Sequence, residues 1–97
     1  MDMEFEWDPA KAAANLRKHG IPFRMACEVF KDIDHLESLE DSCDYGEERW
    51  IVLGCVKEKV LAVVYAIRGN RTRLISARKA TQNEEREYRS GGLSTRP

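Results

Sequence analysis

The stretch RWIVLGCVKEKVLAVVYAIRGNRTRLISARK, residues 49–79, decides the fold because it holds three apolar segments separated by two short polar links. The segments are 49–56, 59–67 and 71–77, and each has the length and the β-branched and aromatic content of a strand. Lys57-Glu58 and Gly69-Asn70 are two-residue links of the kind that closes β-hairpins. The sequence therefore predicts an antiparallel meander with the second segment in the middle.

Two helices are predicted before the meander. Asp8 is a residue type that caps helix N-termini, Pro9 fits the first turn, and Gly20 fits the left-handed position after a helix end. These signals predict a first helix over 9–18. Four apolar residues then recur at the spacing of one helical face and indicate a second helix with a core-facing side: Phe23, Ala26, Cys27 and Phe30.

The remaining segments complete an α+β fold. A weak apolar alternation over 36–39 indicates a short edge strand followed by a loop. Thr81 and Glu84 form a capping-box pattern that starts a third helix, which is predicted to end near Arg89. We therefore predict a single domain over residues 1–89, with two N-terminal helices packed on an antiparallel β-meander sheet and a C-terminal helix after it.

Length and composition exclude several classes of protein. The chain has 97 residues, 42% hydrophobic and 34% charged, which suits one compact soluble domain, and the Gly-rich tail 90–97 is expected to be disordered. No apolar run approaches the roughly 20 residues of a membrane span, and no secretion signal is visible, so we expect a cytoplasmic protein with no membrane contact. The three cysteines show no CxxC spacing, and His19 and His35 lie apart from them. No disulfide framework, metal site or cofactor is therefore expected.

The net charge of −1 conceals two oppositely charged halves. Residues 1–48 carry 13 acidic and 5 basic residues, a net of −8, whereas residues 49–97 carry 4 acidic and 11 basic residues, a net of +7. Seven of the basic residues lie between Arg68 and Arg89. Such asymmetry favours a polyanionic partner or a self-complementary assembly. Any single cation of this set is equally explained as a solvated surface residue.

The hairpin links place four arginines on one face at one end of the meander: Arg49, Arg68, Arg71 and Arg73. In this register Arg49 and Arg73 flank the small residue Ala66. The same face carries Ile51, Val64 and Ile75, and the opposite face carries the bulkier set Trp50, Val52, Leu61, Val63, Tyr65, Ile67 and Leu74. We expect the bulkier face to pack on the first two helices, and the arginine face to stay open for phosphates or an acidic peptide.

Arg78 and Lys79 form a second cationic position at the other end of the meander. The register places Arg78 opposite Leu61, where the last strand leads into the capped third helix. Free amides at that helix N-terminus would join the two cations around a phosphate. The simpler explanation, that both residues only solvate the end of a strand, stays open.

Several separated blocks of the sequence resemble one protein family. The blocks are FEWDPAKAAANLRKHGIPF, ACEVFKD, YGEERWIVLG, VVYAIRG and RLISARKATQNEEREY, in this order over about residues 5–88. They are similar to the BrnT family, the toxin half of bacterial BrnT/BrnA type II toxin–antitoxin systems. The resemblance implies a RelE-like fold, ribonuclease activity that arrests growth, and neutralisation by a BrnA-like antitoxin whose DNA-binding part represses the operon. Operator DNA would then be bound only through the antitoxin.

The resemblance and the basic face together point to a metal-independent endoribonuclease. RNA is cleaved when its 2'-hydroxyl attacks the adjacent phosphate, which requires a base, a donor for the leaving oxygen and positive charge on the transition state. The candidates for phosphate binding and transition-state stabilisation are Arg49, Arg68, Arg73, Arg78 and Lys79. His19 is a candidate for proton transfer because imidazole exchanges protons near neutral pH, although a cation in the last turn of a helix also has a structural explanation.

Weaker proton-transfer candidates are Tyr65, Tyr88 and Glu48. Tyr65 is also expected in the core and Glu48 in an acidic loop. The alternative function is a non-enzymatic module whose basic surface holds a nucleic acid or an acidic protein without cutting it. Direct DNA reading is disfavoured, since no helix-turn-helix pattern is visible and the third helix is rich in acidic residues.

Overall fold

A computed structural model describes residues 3–40 and 47–91 of the chain as an α+β fold. In chain order the elements are β1 (Glu4–Glu6), α1 (Pro9–His19), α2 (Phe23–Ala26), a 3-10 helix (Cys27–Lys31), β2 (Leu36–Glu40), β3 (Arg49–Val56), β4 (Lys59–Arg68), β5 (Arg71–Lys79) and α3 (Gln82–Arg89). The predicted α+β class is confirmed. Most of the loop after β2 and most of the tail 90–97 lie outside the described residues, so disorder of the tail stays a prediction.

The five described strands form one mixed sheet in the order β1-β5-β4-β3-β2. Strands β2 to β5 pair antiparallel with their neighbours in sequence, which confirms the meander and the edge position of β2. β1 instead pairs in parallel with β5, with Glu4 beside Arg71 and Glu6 beside Arg73. The prediction of a purely antiparallel sheet is wrong at this edge, because a strand of three residues carries too little pattern to indicate its partner.

Both hairpin turns form at the predicted residues. Lys57 and Glu58 have φ of 50° and 70°, the two positive values of a type I′ turn, and Gly69 has a φ of 62°. Positive φ is strained for Lys and Glu and unstrained for Gly, so the first turn depends on the strong pairing of its two strands. The turns fix the register of β3, β4 and β5 at the end where the arginines lie.

A β-bulge changes the predicted register towards the other end of β5. The pairing shifts by one residue next to Val64, and Ile75 is skipped in the ladder. As a result Arg78 lies opposite Ala62 and not opposite Leu61 as predicted. The regular alternation of β5 does not indicate the extra residue, because a bulge is specified by packing on both strands.

The bulkier face of the sheet forms the main core with α1, α2 and the 3-10 helix. Its buried members are Ile21, Phe23, Ala26, Val29, Val52, Val56, Leu61, Val63, Tyr65, Leu74 and Ala77, with Trp50 packed at the margin. This agrees with the predicted face except at Ile67, which is 54% exposed. The core therefore ends before the β4–β5 turn, and the sheet extends past it.

The second face of the sheet is covered in part by α3. Tyr88 of α3 packs with Leu53, Val60 and Ala62 in a smaller apolar cluster. This cluster lies towards the β3–β4 turn, so α3 does not reach the opposite end of the face. The arginine-bearing end of the sheet stays outside both clusters, as the sequence predicted.

Gly54 allows the 3-10 helix to lie directly on β3. A Cβ at this position would be 2.8 Å from both the Cβ and the carbonyl oxygen of Val29, which is fully buried. Carbon atoms do not approach so closely, so any side chain at Gly54 would push the helix away from the sheet. The glycine is thus required by close packing.

Two polar side chains extend the edges of the sheet where the edge strands stop. β1 reaches only Arg73, and beyond it Asn15 of α1 donates to the carbonyl of Ala77 at 2.9 Å and accepts from its amide at 3.0 Å. On the other side β2 begins opposite Leu53. Beyond that point Asp32 accepts a hydrogen bond of 2.7 Å from the amide of Cys55. Both caps satisfy buried or half-buried backbone groups that would otherwise lack partners.

The helix ends follow the predicted signals. Asp8 accepts a hydrogen bond from the amide of Ala10 at 2.8 Å, and Gly20 ends α1 with a φ of 74°. Thr81 and Glu84 make both bonds of the capping box at the start of α3. Within the described residues, no helix combines the length and apolar character needed to cross a membrane.

Candidate active site

Three of the predicted site residues come together at one end of the open sheet face. Arg73 of β5 lies opposite Ala66 of β4. Trp50 of β3 lies opposite Tyr65, so Arg49, one residue earlier on β3, flanks Ala66 from the other side. Trp50 and Tyr65 point into the main core, which places their strand neighbours on the open face. Ala66, between the two arginines, is fully buried.

Arg68 and Arg71 form the next pair towards the β4–β5 turn. Cross-strand neighbours lie about 4.5–5.5 Å apart at their Cβ atoms, so like charges there repel unless anions are close. The four arginines together make a cationic end of the sheet, which we call the arginine cluster: Arg49, Arg68, Arg71 and Arg73. Guanidinium groups in this arrangement are suited to bind phosphodiester oxygens.

Carboxylates from both neighbouring segments pair with the arginine cluster. Glu47, just before β3, accepts from Arg68 Nε at 2.8 Å and from Arg68 Nη2 at 3.3 Å. Glu6 of β1 accepts from Arg73 at 3.1 Å and from Arg71 at 3.4 Å. Glu4 lies 3.5 Å from Arg71. The acidic first half of the chain thus neutralises part of the basic second half within one molecule.

The electrostatics of the arginine cluster keep these carboxylates ionised. The hydrogen bonds from Arg68 hold the pKa of Glu47 below its usual value, and the charges of Arg49 and Arg73 act in the same direction. The hydrogen bond from Arg73 lowers the pKa of Glu6. Both side chains remain about one quarter exposed, so an incoming anion can reach the arginines they hold. Water screens such partly exposed ion pairs, which makes them easy to exchange.

A shallow depression of about 400 Å³ adjoins the arginine cluster at the rim of the sheet. Glu47, Glu48, Trp50 and Ile67 line it. Trp50 and Ile67 belong to the helix-covered face, but they lie beyond the helices and keep part of their apolar surface in water. Glu47 therefore lies between a cationic surface and an apolar one.

The structure separates Arg78 from Lys79. Arg78 makes two hydrogen bonds to Glu84 of α3, at 2.7 and 3.0 Å, and these raise its pKa. Lys79 lies opposite Leu61 of the main core, so the two adjacent side chains leave the strand on opposite faces. The amide of Glu84 is already bonded to Thr81. The structure therefore does not bring the two cations together, and a phosphate bound between them at the start of α3 stays a prediction.

His19 is also distant from the arginine cluster. It is the last residue of α1, one helical turn beyond Asn15, which is bonded to Ala77. Helix α1 packs on the face of the sheet opposite to that of the arginines. The basic last turn of α1 matches the structural explanation of this residue, in which cations interact with the helix C-terminus.

Tyr65 and Tyr88 are engaged in hydrogen bonds within the fold. The hydroxyl of Tyr65 donates to Glu37, and the hydroxyl of Tyr88 donates to Asp32. Burial raises the pKa of each phenol, and the neighbouring carboxylate raises it further. Burial of Asp32 opposes ionisation, but its hydrogen bonds from Tyr88 and from backbone amides outweigh burial and lower its pKa. Neither tyrosine is therefore a ready proton carrier near neutral pH.

Three polar residues that hydrogen-bond around the two tyrosines or beside them were not predicted from the sequence. Asp32, His35 and Glu37 lie in a segment that we interpreted only as an acidic edge strand and loop. His35 contacts the carbonyl of Asp32 at 2.7 Å and a carboxylate oxygen of Glu37 at 3.1 Å. Glu47 and Glu6 were likewise not singled out, since their roles depend on arginines far away in the chain. Residues 3–40 and 47–91 bring together no group of three or more His, Cys, Asp or Glu suited to a metal ion.

Comparison with known proteins agrees with the resemblance in the sequence. A family model described as the ribonuclease toxin BrnT of type II toxin–antitoxin systems matches residues 7–84, which is most of the chain. The matched region contains Arg49, Arg68 and Arg73, together with Glu47. The comparison with curated proteins found no match. With most of its length matched, the chain belongs to the BrnT family of ribonuclease toxins of type II toxin–antitoxin systems.

Proposed function

We propose that this chain is a metal-independent endoribonuclease that binds its RNA at the arginine cluster. The observation that carries the proposal is the convergence of Arg49, Arg68 and Arg73 on one open end of the sheet. A phosphodiester there would meet guanidinium groups from three neighbouring strands. Their charges would stabilise the additional negative charge of a pentacovalent transition state without a metal ion.

Substrate binding on this surface is an exchange of anions. The RNA phosphate would replace Glu47 on Arg68 and Glu6 on Arg73, so the arginines pass from one anion to another. The carboxylates keep the arginines extended on the sheet face while RNA is absent. Because water already screens these partly exposed pairs, their loss opposes RNA binding only weakly.

The other predicted site residues have smaller parts in this proposal. Arg78 and Lys79 serve as separate, outlying contacts to the RNA backbone, since they lie on different faces near α3 and the main core. His19 takes no part at the scissile bond. We retain Arg49, Arg68 and Arg73 as the residues that contact the reacting phosphate.

We further propose a RelE-like architecture, action in the cytoplasm and neutralisation by a BrnA-like antitoxin. The antitoxin would cover the arginine cluster and so exclude RNA, and operator DNA would be bound only through it. Support comes from the toxin–antitoxin family and from the open, charged end of the sheet. If so, RNA and antitoxin compete for one surface, and substitutions at Arg68 and Arg73 weaken both interactions.

The test is cleavage of labelled RNA by the purified chain in the presence of a chelator. We expect products with a 2',3'-cyclic phosphate and a 5'-hydroxyl, formed at the same rate with and without chelator. RNA that is bound but left intact under both conditions would favour the non-enzymatic binding module. Cleavage that stops in chelator and returns with a divalent ion would refute metal independence.

A further inference from the structure

The proton acceptor of the reaction has to lie beside the arginine cluster, and few described groups satisfy this. His19 and Tyr65 point to the opposite face, and Tyr88 is bonded to Asp32 beneath α3. The carboxylates on or beside the cluster are Glu4, Glu6, Glu40 and Glu47. The sequence candidate Glu48 is an exposed neighbour of Glu47.

Glu47 interacts with all three arginines proposed for the phosphate. It is hydrogen-bonded to Arg68, and the charges of both Arg49 and Arg73 act on it. Glu6 and Glu4 lie on β1 at the sheet edge and hold Arg71 and Arg73 from outside. A phosphate that binds Arg68 would therefore displace Glu47 from this arginine, and Glu47 would remain next to the phosphate.

The depression beside Glu47 adds a second, independent observation. A nucleotide has an apolar base, a ribose and a phosphate in that order, and bases stack on exposed aromatic side chains. A base against Trp50 and Ile67, with its phosphate on Arg68, would hold the ribose near Glu47. The 2'-hydroxyl is part of that ribose.

We propose that Glu47 is the general base that takes the proton from the 2'-hydroxyl of the nucleotide whose base rests on Trp50 and Ile67. This inference rests on the proposed ribonuclease function and names the residue that starts its chemistry. Glu47 becomes a catalytic residue in addition to the arginines. It lies two residues before Arg49, where β3 begins, and within the region that the family model matches.

The step balances without a co-reactant. A carboxylate oxygen of Glu47 accepts the proton as the 2'-oxygen forms its bond to phosphorus. The bond between phosphorus and the 5'-oxygen then breaks, and its electron pair leaves with that oxygen, which takes a proton from solvent. Glu47 returns its own proton to solvent. The products are a 2',3'-cyclic phosphate and a 5'-hydroxyl, and no water is consumed.

Substrate binding itself would make Glu47 a stronger base. In the free protein the hydrogen bonds from Arg68 lower its pKa, and a carboxylate held in this way accepts a proton poorly. A phosphate on Arg68 removes those bonds and neutralises the charges of Arg49 and Arg73. The pKa of Glu47 then rises, helped by the charges of Glu6, Glu40 and Glu48 nearby. Proton acceptance is thereby coupled to correct placement of the phosphate.

The experiment compares single-turnover cleavage of saturating labelled RNA by five forms of the full chain in chelator. They are the wild type, Glu47→Gln, the shorter carboxylate Glu47→Asp, Glu6→Gln to test the carboxylate on β1, and Glu85→Gln as a matched control. Glu85 is an exposed carboxylate paired with Arg89 at 3.2 Å on α3, so its replacement removes a similar ion pair away from the site. RNA affinity is measured in parallel by filter binding, and folding by circular dichroism.

We expect Glu47→Gln to cleave about 10²- to 10⁴-fold more slowly and to bind RNA as tightly as the wild type or more tightly. The rate of the wild type should rise with pH up to the pKa of the bound Glu47, and Glu47→Gln should lose this rise while Glu47→Asp keeps it. Cleavage by Glu47→Gln within threefold of the wild type, or faster, would overturn the assignment and leave Glu47 as an occupant of the anion site. Loss of cleavage in Glu6→Gln, with cleavage kept in Glu47→Gln, would overturn the assignment and make Glu6 of β1 the general base. A wild type that never cleaves would refute the proposed function itself.

Discussion

Removal of one arginine from the cluster should change the salt dependence of RNA binding by a fixed amount. We consider Arg73→Gln, which keeps a polar side chain opposite Ala66 and removes the charge. For single-stranded nucleic acid each phosphate contact contributes about 0.7 to the slope of log affinity against log salt. The five proposed contacts give a slope of about −3.5, and four give about −2.8. These contacts come from Arg49, Arg68, Arg73, Arg78 and Lys79.

These slopes translate into a measurable difference. Between about 50 and 200 mM salt, a fourfold change, affinity should fall about 130-fold for the wild type and about 50-fold for Arg73→Gln. The assay is filter binding of a labelled RNA that lacks 2'-hydroxyls at the scissile position, so that cleavage does not interfere. Arg89→Gln is the control, because Arg89 pairs with Glu85 on α3 and lies away from the cluster. A slope for Arg73→Gln equal to that of both wild type and control would show that Arg73 does not touch the phosphates, and the arginine cluster would lose its central member.

Three further predictions concern stability. Gly54→Ala should lower the free energy of unfolding by about 1–3 kcal/mol, because the new Cβ would collide with Val29. Urea denaturation of the variant and the wild type measures this difference, and an unchanged midpoint would contradict the close packing. Asn15→Ala should cost about 1–3 kcal/mol by leaving the amide and carbonyl of Ala77 without partners, whereas a neutral result would mean that water replaces the side chain. Asp32 has a lowered pKa when folded, so its stabilisation is complete above about pH 4, the usual aspartate value, and is lost as pH falls through the lower folded pKa. The stability gap between wild type and Asp32→Asn should therefore narrow in acid, and a gap that widens there would reverse the sign we assign.

The meander was predictable because its signals are local. Alternating apolar residues, a Gly-Asn link and two-residue spacing specify both partner and register within one stretch of chain. The helix ends were predictable for the same reason, since Asp8 and Thr81 act within their own first turns. The positions of four arginines on one face therefore follow from the sequence alone.

The rest of the site depends on contacts between distant parts of the chain. Glu6 meets Arg73 across 67 positions and Glu47 meets Arg68 across 21, and no local pattern indicates such pairs. The parallel pairing of β1 and the bulge beside Val64 are set by packing against the rest of the sheet. Arg78 and Glu84 are only six positions apart, but their ion pair was also not predicted, because a sequence shows charges and not their partners.

The most direct test of whether the arginine cluster cuts RNA is single-turnover cleavage of labelled RNA in chelator. It compares the double variant Arg68→Gln plus Arg73→Gln with the double variant Arg86→Gln plus Arg89→Gln. Both double variants remove two positive charges, but the second pair lies on α3 and leaves the cluster intact. We expect the first variant to lose cleavage by at least 10²-fold at saturating RNA while circular dichroism shows an unchanged fold, and the second to cleave at the wild-type rate. Equal cleavage by the two variants would contradict the assignment of catalysis to this end of the sheet.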